Sequence, residues 1–96
     1  MPEKLIKKLS SIIKERKVQL PEDSYVAKLF KSGKVKIANK LGEEATETVS
    51  AFLSQTNKEI LEESADLIFH LMILLEHKDL TLEEVFDVLE RRIDYD

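Results

Sequence analysis

The fold of this 96-residue chain is decided by residues 67–75, which read Leu-Ile-Phe-His-Leu-Met-Ile-Leu-Leu. Apolar side chains in this run cover every side of a helix, and His70 is its only polar member. A helix that is apolar all round must be enclosed. The run is too short to cross a bilayer, so other helices must enclose it. One short chain offers few of them, and we therefore expect a second subunit to complete the bundle.

Helical spacing of apolar residues continues through the rest of the chain, and no stretch alternates as a β-strand does. The pattern predicts a first helix to about residue 20, a short helix through 30, a third from 35 to 53, a fourth opening at 56, and a last from 81 to about 93. The predicted fold is therefore all-α: a single domain over residues 1–96, built as a bundle of about four to five helices and completed by dimerisation.

Local signals refine these helices. Thr56 with Glu59, and Thr81 with Glu84, have the spacing of capping boxes. The third helix is expected to bury the following side chains: Ile37, Leu41, Ala45, Thr48, Val49 and Phe52. Gly42 in the same helix costs about 1 kcal/mol relative to alanine, so we expect close packing at that position.

Composition limits the classes of function. The net charge is −4, but residues 1–42 hold eleven basic residues against four acids, and residues 43–96 hold four against fifteen. An acidic chain whose few aromatic residues are not interleaved with basic ones is not expected to bind nucleic acid. There is no cysteine, and the N-terminus lacks the apolar segment of a signal peptide. We expect a cytoplasmic protein that does not associate with a membrane.

Two acidic pairs suggest a metal site. Glu44 and Glu47 share one helical face, as do Glu63 and Asp66, and each pair borders an apolar stripe. If the third and fourth helices pack antiparallel, the two pairs face each other, and a cation must offset their repulsion. Oxygen ligands alone favour a hard ion, Mg2+ or Mn2+, and such an ion suggests attack on a phosphate. A single pair of this kind is common on exposed helices, whereas two matched pairs favour a site.

His70 has two interpretations. It follows Asp66 by one helical turn and could ligate metal, contact a phosphate or transfer a proton. It could equally be a core histidine that a neighbouring carboxylate satisfies. The sequence leaves both open.

Three segments carry a resemblance to a known family. They are residues 24–29, Ser-Tyr-Val-Ala-Lys-Leu; residues 40–47, Lys-Leu-Gly-Glu-Glu-Ala-Thr-Glu; and residues 62–70, Glu-Glu-Ser-Ala-Asp-Leu-Ile-Phe-His. With these, the chain resembles the phosphoribosyl-ATP pyrophosphatases, a family of the all-α, MazG-like nucleotide pyrophosphohydrolases. It departs from the family at Val26, where threonine is frequent, and at Phe69, where tyrosine is frequent.

The resemblance implies a Mg2+-dependent enzyme that hydrolyses phosphoribosyl-ATP to phosphoribosyl-AMP and pyrophosphate, the second step of histidine biosynthesis. It also implies at least a homodimer, and a separate cyclohydrolase for the next step. The residue roles that it implies are these: metal ligands Glu44, Glu47, Glu63 and Asp66; catalytic residues Glu43 and His70; and substrate-binding residues Lys40, Lys28 and Arg91 (or its neighbour Arg92). Glu43 is either a base that orients the attacking water or a residue that supports the metal ligands, and the sequence does not separate these roles.

Two other functions remain possible at this stage. A MazG-like house-cleaning enzyme would hydrolyse canonical or damaged nucleoside triphosphates. A non-enzymatic helical interaction module would keep the bundle without pyrophosphate release, although folding alone gives no reason to juxtapose four carboxylates.

Overall fold

The computed structural model describes residues 2–93, which form helices and no strands. The helices are α1 (Pro2–Gln19), α2 (Tyr25–Ser32), α3 (Lys34–Ser54), α4 (Asn57–His77) and α5 (Leu82–Arg91). The predicted all-α class is confirmed. Among these residues, no helix is long and apolar enough to cross a membrane.

Helices α3 and α4 form an antiparallel hairpin, which is the most extensive helix pair of the fold. The Thr48 hydroxyl of α3 donates to the Glu63 carbonyl oxygen of α4 at 3.2 Å. Ile37, near the start of α3, lines the same groove as His77, at the end of α4. This antiparallel pairing brings the middle of α3 against the first half of α4, where the two acidic pairs lie.

The core lies where α1 and α2 pack against the hairpin. Ile13 of α1 and Ile73 of α4 are fully buried, and Leu29 of α2 is nearly so. The other buried members of this core are Val26, Ile37, Met72 and Leu82. In the apolar run of α4 the chain itself buries Met72 and Ile73 and covers most of the others in part, while Ile68 stays 47 % exposed.

Gly33 is the corner between α2 and α3. It ends α2, where its N–H donates to the Leu29 carbonyl oxygen at 3.2 Å, and it also begins α3. Its φ of 95° lies in a region of backbone conformation that residues other than glycine rarely adopt. The other end of α2 is capped by Ser24, whose hydroxyl accepts from the Ala27 N–H at 3.1 Å. Together these residues fix the position of α2 beside the hairpin.

Two packing predictions for α3 are wrong for residues 2–93 of one chain: the burial of Val49 and Phe52, and close packing at Gly42. Val49 and Phe52 are exposed, whereas Thr48 of the same helix bonds to α4 and Ala51 is buried. Gly42 is open as well, since a Cβ added there would meet no described atom within 4 Å. The apolar periodicity of α3 correctly marked an apolar face, but no other element of residues 2–93 covers it.

The two expected capping boxes differ. At α5 the box is complete: the Thr81 hydroxyl accepts from the Glu84 N–H at 3.3 Å, and the Glu84 carboxylate accepts from the Thr81 N–H at 2.9 Å. At α4 the Thr56 hydroxyl contacts the Glu59 carboxylate and makes no capping hydrogen bond to the backbone. Both predicted helix starts are confirmed, but only the capping box at α5 is complete.

Candidate metal centre

Helices α3 and α4 bring three of the expected ligands together. Glu44, Glu63 and Asp66 each offer one carboxylate oxygen, and these oxygens lie within 4.8 Å of one another. The Glu44 side chain is buried, that of Glu63 half-buried and that of Asp66 exposed, so the cluster opens to solvent on one side. The bond from Thr48 to the Glu63 carbonyl oxygen fixes the two helices beside this cluster.

Glu47, the fourth expected ligand, lies beside the same cluster. Burial raises the pKa of Glu44, and the adjacent Glu47 carboxylate raises it further. Burial likewise raises the pKa of Glu63, followed by the effect of Glu47. Glu47 follows Glu44 by one turn of α3, so the two lie on the same helical face, and the Glu47 side chain is exposed.

The cluster lacks compensating donors. Glu44 and Glu63 each have one buried carboxylate oxygen, Oε2, with no hydrogen-bond partner among residues 2–93. Leaving a buried acceptor unpaired is costly, and for a charged group the cost is larger. A hard cation with oxygen ligands would satisfy both atoms, and Mg2+ would keep its remaining positions for water or phosphate. The donor set fits such an ion.

Lys40 stands at the edge of the cluster. Its ammonium lies 3.7 Å from a Glu43 carboxylate oxygen and 3.9 Å from a Glu44 one. These distances are long for ion pairs, and Glu43 is exposed. Lys40 can therefore turn toward an incoming anion, whereas Glu43 lies outside the three-carboxylate group.

His70 is buried, and both of its ring nitrogens have partners. Nδ1 lies 2.7 Å from the Asp66 carbonyl oxygen, and Nε2 lies 2.7 Å from the Tyr25 hydroxyl. Its partner on Asp66 is thus the backbone oxygen and not the carboxylate. The ring also packs edge-on against Phe69, with centroids 5.7 Å apart. Tyr25 is a neighbour of the site to which the sequence analysis assigned no role.

Two expected substrate-binding residues lie apart from the cluster. Lys28 is exposed on α2, one turn after Tyr25, and forms no ion pair with residues 2–93. Arg91 lines a groove of about 390 Å³ with Leu75 and Val85, at the far end of α4 from the carboxylates. The structure thus brings neither Lys28 nor Arg91 into the carboxylate cluster.

The family model described as phosphoribosyl-ATP pyrophosphohydrolase matches residues 6–93. This match includes all five helices in whole or in part, and every residue of the carboxylate cluster. The chain belongs to this family. Its members are hydrolases by name, so the chain is an enzyme.

Relatives in the family are similar over most of their length. The phosphoribosyl-ATP pyrophosphatase of Zymomonas mobilis is 49 % identical over 92 residues, which are 96 % of this chain and 86 % of that protein. The pyrophosphatase of Metallosphaera sedula is 46 % identical over 93 % of this chain and 96 % of that protein.

A third relative combines the family domain with a further activity. The histidine biosynthesis bifunctional protein of Buchnera aphidicola is 45 % identical over 88 % of this chain, and the match spans 40 % of that protein. That a separate polypeptide supplies the cyclohydrolase step for this chain stays a prediction.

Proposed function

We propose that this chain hydrolyses phosphoribosyl-ATP to phosphoribosyl-AMP and pyrophosphate in histidine biosynthesis. The observation that carries the proposal is the carboxylate cluster at the centre of the family match, in which Glu44 and Glu63 keep buried oxygens unpaired. That arrangement is costly for folding and useful for holding a divalent cation. We also propose that the protein acts in the cytoplasm, because a highly charged nucleotide substrate does not cross a membrane unaided.

In this proposal Mg2+, or Mn2+ in its place, is held by Glu44, Glu47, Glu63 and Asp66. The bound ion would supply charge stabilisation on the phosphate oxygens and activation of water. The side chains of the protein would contribute by positioning the substrate and the attacking water, because phosphoryl transfer depends mostly on positioning and electrostatic stabilisation.

Side chains around the cluster take the other roles. Lys40 would turn from its two glutamate partners to a phosphate oxygen. Lys28, which is exposed on α2, would contribute further positive charge for the substrate. Glu43, which is exposed beside Lys40, would accept a hydrogen bond from the attacking water. Hydrolysis of the anhydride between the α- and β-phosphates would then release pyrophosphate.

We also propose that the protein is a homodimer. The outer face of the hairpin carries a set of large, exposed apolar side chains: Val49, Phe52, Leu53, Leu61 and Ile68. Phe52, Leu53 and Leu61 are each more than 70 % exposed. So many large apolar side chains exposed on one helix pair of a small chain are typical of an interface. A second copy would also bring a neighbour to Gly42, where an added Cβ would meet no atom of residues 2–93 within 4 Å.

The activity test compares substrates in parallel. Purified protein with Mg2+ should release pyrophosphate from phosphoribosyl-ATP faster than from ATP or dCTP. Glu63→Gln should abolish most of this release, whereas Glu62→Gln, an exposed glutamate of the same helix, should retain it. Preferential turnover of dCTP or ATP would instead identify a house-cleaning enzyme. No pyrophosphate release from any of the three would favour the interaction module.

A further inference from the structure

The Thr48 hydroxyl joins the two helices that carry the carboxylates. It lies 2.8 Å from the Glu44 carbonyl oxygen, one turn earlier on α3, and 3.2 Å from the Glu63 carbonyl oxygen of α4. Glu44 and Glu63 are also residues of the cluster whose buried carboxylate oxygens have no partner among residues 2–93. One hydroxyl group therefore contacts the backbone of both.

Three other hydroxyl groups of the hairpin contact only their own helix. Within the part of the chain that the structure describes, each donates to the carbonyl oxygen four residues earlier: Thr46, Ser54 and Ser64. Such a bond is a common way for serine and threonine to satisfy a hydroxyl inside a helix. This local preference does not explain the second contact of Thr48, which reaches α4.

The contact with α4 fixes the relative position of the helices more than it adds stability. Both carbonyl oxygens lie within regular helix, where each accepts a backbone N–H from the residue four positions later. Neither would be left unpaired without the Thr48 hydroxyl, so its loss should cost little free energy of unfolding. Apolar contacts between the helices have no preferred direction, whereas a hydrogen bond depends on distance and angle. The hydroxyl therefore resists a shift of α3 along α4 beside the two carboxylates.

The hard cations that carboxylates bind differ in the geometry they accept. Mg2+ requires nearly octahedral ligands at about 2.0–2.1 Å, whereas Ca2+ accepts about six to eight oxygens at about 2.3–2.6 Å in flexible arrangements. A shift between the helices would move Glu44 of α3 relative to Glu63 and Asp66 of α4, which share the cluster. Such a shift would weaken Mg2+ binding more than Ca2+ binding.

We propose that Thr48 is a positioning residue that holds the Glu44 and Glu63 carboxylates in the relative position that Mg2+ requires, and that it thereby gives the centre a preference for Mg2+ over Ca2+. Thr48 acts through the backbone of the two ligand residues and does not itself bind the ion. The inference rests on the proposed function, in which these carboxylates hold the cation.

The first test measures Mg2+ and Ca2+ binding separately, by calorimetric titration of metal-free protein. Thr48→Val keeps the branched shape of threonine without its hydroxyl, so it should weaken Mg2+ binding about 10-fold, the lower end for residues that support metal ligands, and Ca2+ binding by a smaller factor. Thr48→Ser keeps the hydroxyl and should restore most of the Mg2+ affinity. Equal weakening of both ions, unchanged affinities, or a serine variant no better than the valine variant would overturn the inference.

Thr46→Val is the matched control. It makes the same substitution on the same helix, at an exposed threonine whose hydroxyl bonds only to the Gly42 carbonyl oxygen, at 3.1 Å. Its affinities for both ions should equal those of the wild type. A loss of Mg2+ preference equal to that of Thr48→Val would assign the effect to hydroxyl contacts within α3 and would contradict positioning across the hairpin.

Two measurements without metal separate positioning from folding. The carbonyl carbon-13 resonance of Glu63 reports the contact directly, and it should move in Thr48→Val but not in Thr46→Val. Melting temperatures of these variants in EDTA should stay close to that of the wild type. A Thr48→Val protein that melts much earlier, yet keeps the wild-type ratio of Mg2+ to Ca2+ affinity, would show that the contact is purely structural. If this variant does not fold, Thr48→Ala replaces it in each comparison.

The proposed function can fail separately from this inference. Wild-type protein that hydrolyses phosphoribosyl-ATP with Mg2+, together with an unchanged ion preference in Thr48→Val, would overturn the inference alone. A preference for Mg2+ that depends on Thr48, in a protein that releases no pyrophosphate from any nucleotide tested, would refute the proposed function and support the positioning role.

Discussion

Glu44 of α3 and Glu63 of α4 face each other across the hairpin, and each keeps one buried carboxylate oxygen without a hydrogen-bond partner among residues 2–93. Two such groups oppose folding when both are ionised, because burial and mutual repulsion disfavour their charges. Stability of the protein should therefore depend on what neutralises them, and the following predictions use this dependence.

Magnesium should stabilise the fold. An ion that binds only the native state adds stability by mass action, about 2.7 kcal/mol when its concentration is 100 times its dissociation constant. Thermal melts in millimolar Mg2+ should lie above those in EDTA. Glu63→Gln should shrink this difference and raise the melting temperature in EDTA, whereas Glu62→Gln should change neither. Coincident melts of the unmodified protein in the two buffers would count against the metal site.

Stability without metal should fall as pH rises from mildly acidic values. Burial, with the neighbouring Glu47, raises the pKa values of Glu44 and Glu63, so between the usual glutamate pKa and these higher values the folded state binds more protons than the unfolded one. The free energy of unfolding must decrease with pH across that interval. Urea titrations in EDTA at several pH values would measure it, and Glu44→Gln should flatten the slope. A slope of opposite sign would refute the raised pKa values.

Magnesium affinity should increase with pH, whereas the stability of the metal-free protein decreases. The carboxylates must be deprotonated to bind the ion, so binding releases protons and tightens as pH rises through the same interval. Calorimetric titrations in buffers of different ionisation enthalpy would count the released protons. Affinity that does not vary with pH would show that the ion binds elsewhere.

A charge on the outer face of the hairpin should disrupt association. Phe52→Glu places a carboxylate on the proposed dimer interface, and sedimentation equilibrium should show dissociation or loss of the folded protein. Val18→Glu, at an equally exposed apolar position on α1, is the matched control and should leave the oligomeric state unchanged. A charge at Met72 would not test association, since that side chain lies in the core of the single chain. A stable, helical monomer of the unmodified protein at micromolar concentration would exclude the dimer.

The two helix caps should differ in energy. Thr81→Ala removes a complete capping box and should destabilise the protein by about 1 kcal/mol. Thr56→Ala removes a side-chain contact but no backbone cap, so its effect should be smaller. Urea denaturation of both variants gives the comparison, and equal losses would contradict it.

Periodicity and spacing predicted most of the fold and the approach of carboxylates from α3 and α4. Carboxylates one turn apart on adjacent antiparallel helices must meet, because helical geometry and a short connection leave little freedom. Tyr25 was not assigned a role, because its partner His70 lies 45 residues away and their contact depends on how α2 packs. Its position directly after the capping residue Ser24 was the available signal. The exposure of Phe52 could not be foreseen, since periodicity identifies an apolar face but not what covers it.

Confinement of the four carboxylates to one helical hairpin also bears on the order of folding. Contacts between helices that are adjacent along the chain close short loops, and elements of this kind tend to form before distant ones. Repulsion among the carboxylates would then already act in the folding transition state. A bound divalent cation relieves that repulsion as the hairpin forms, so Mg2+ should accelerate refolding as well as slow unfolding. A cluster proposed for chemistry would thereby also make the rate of folding depend on the concentration of divalent cation.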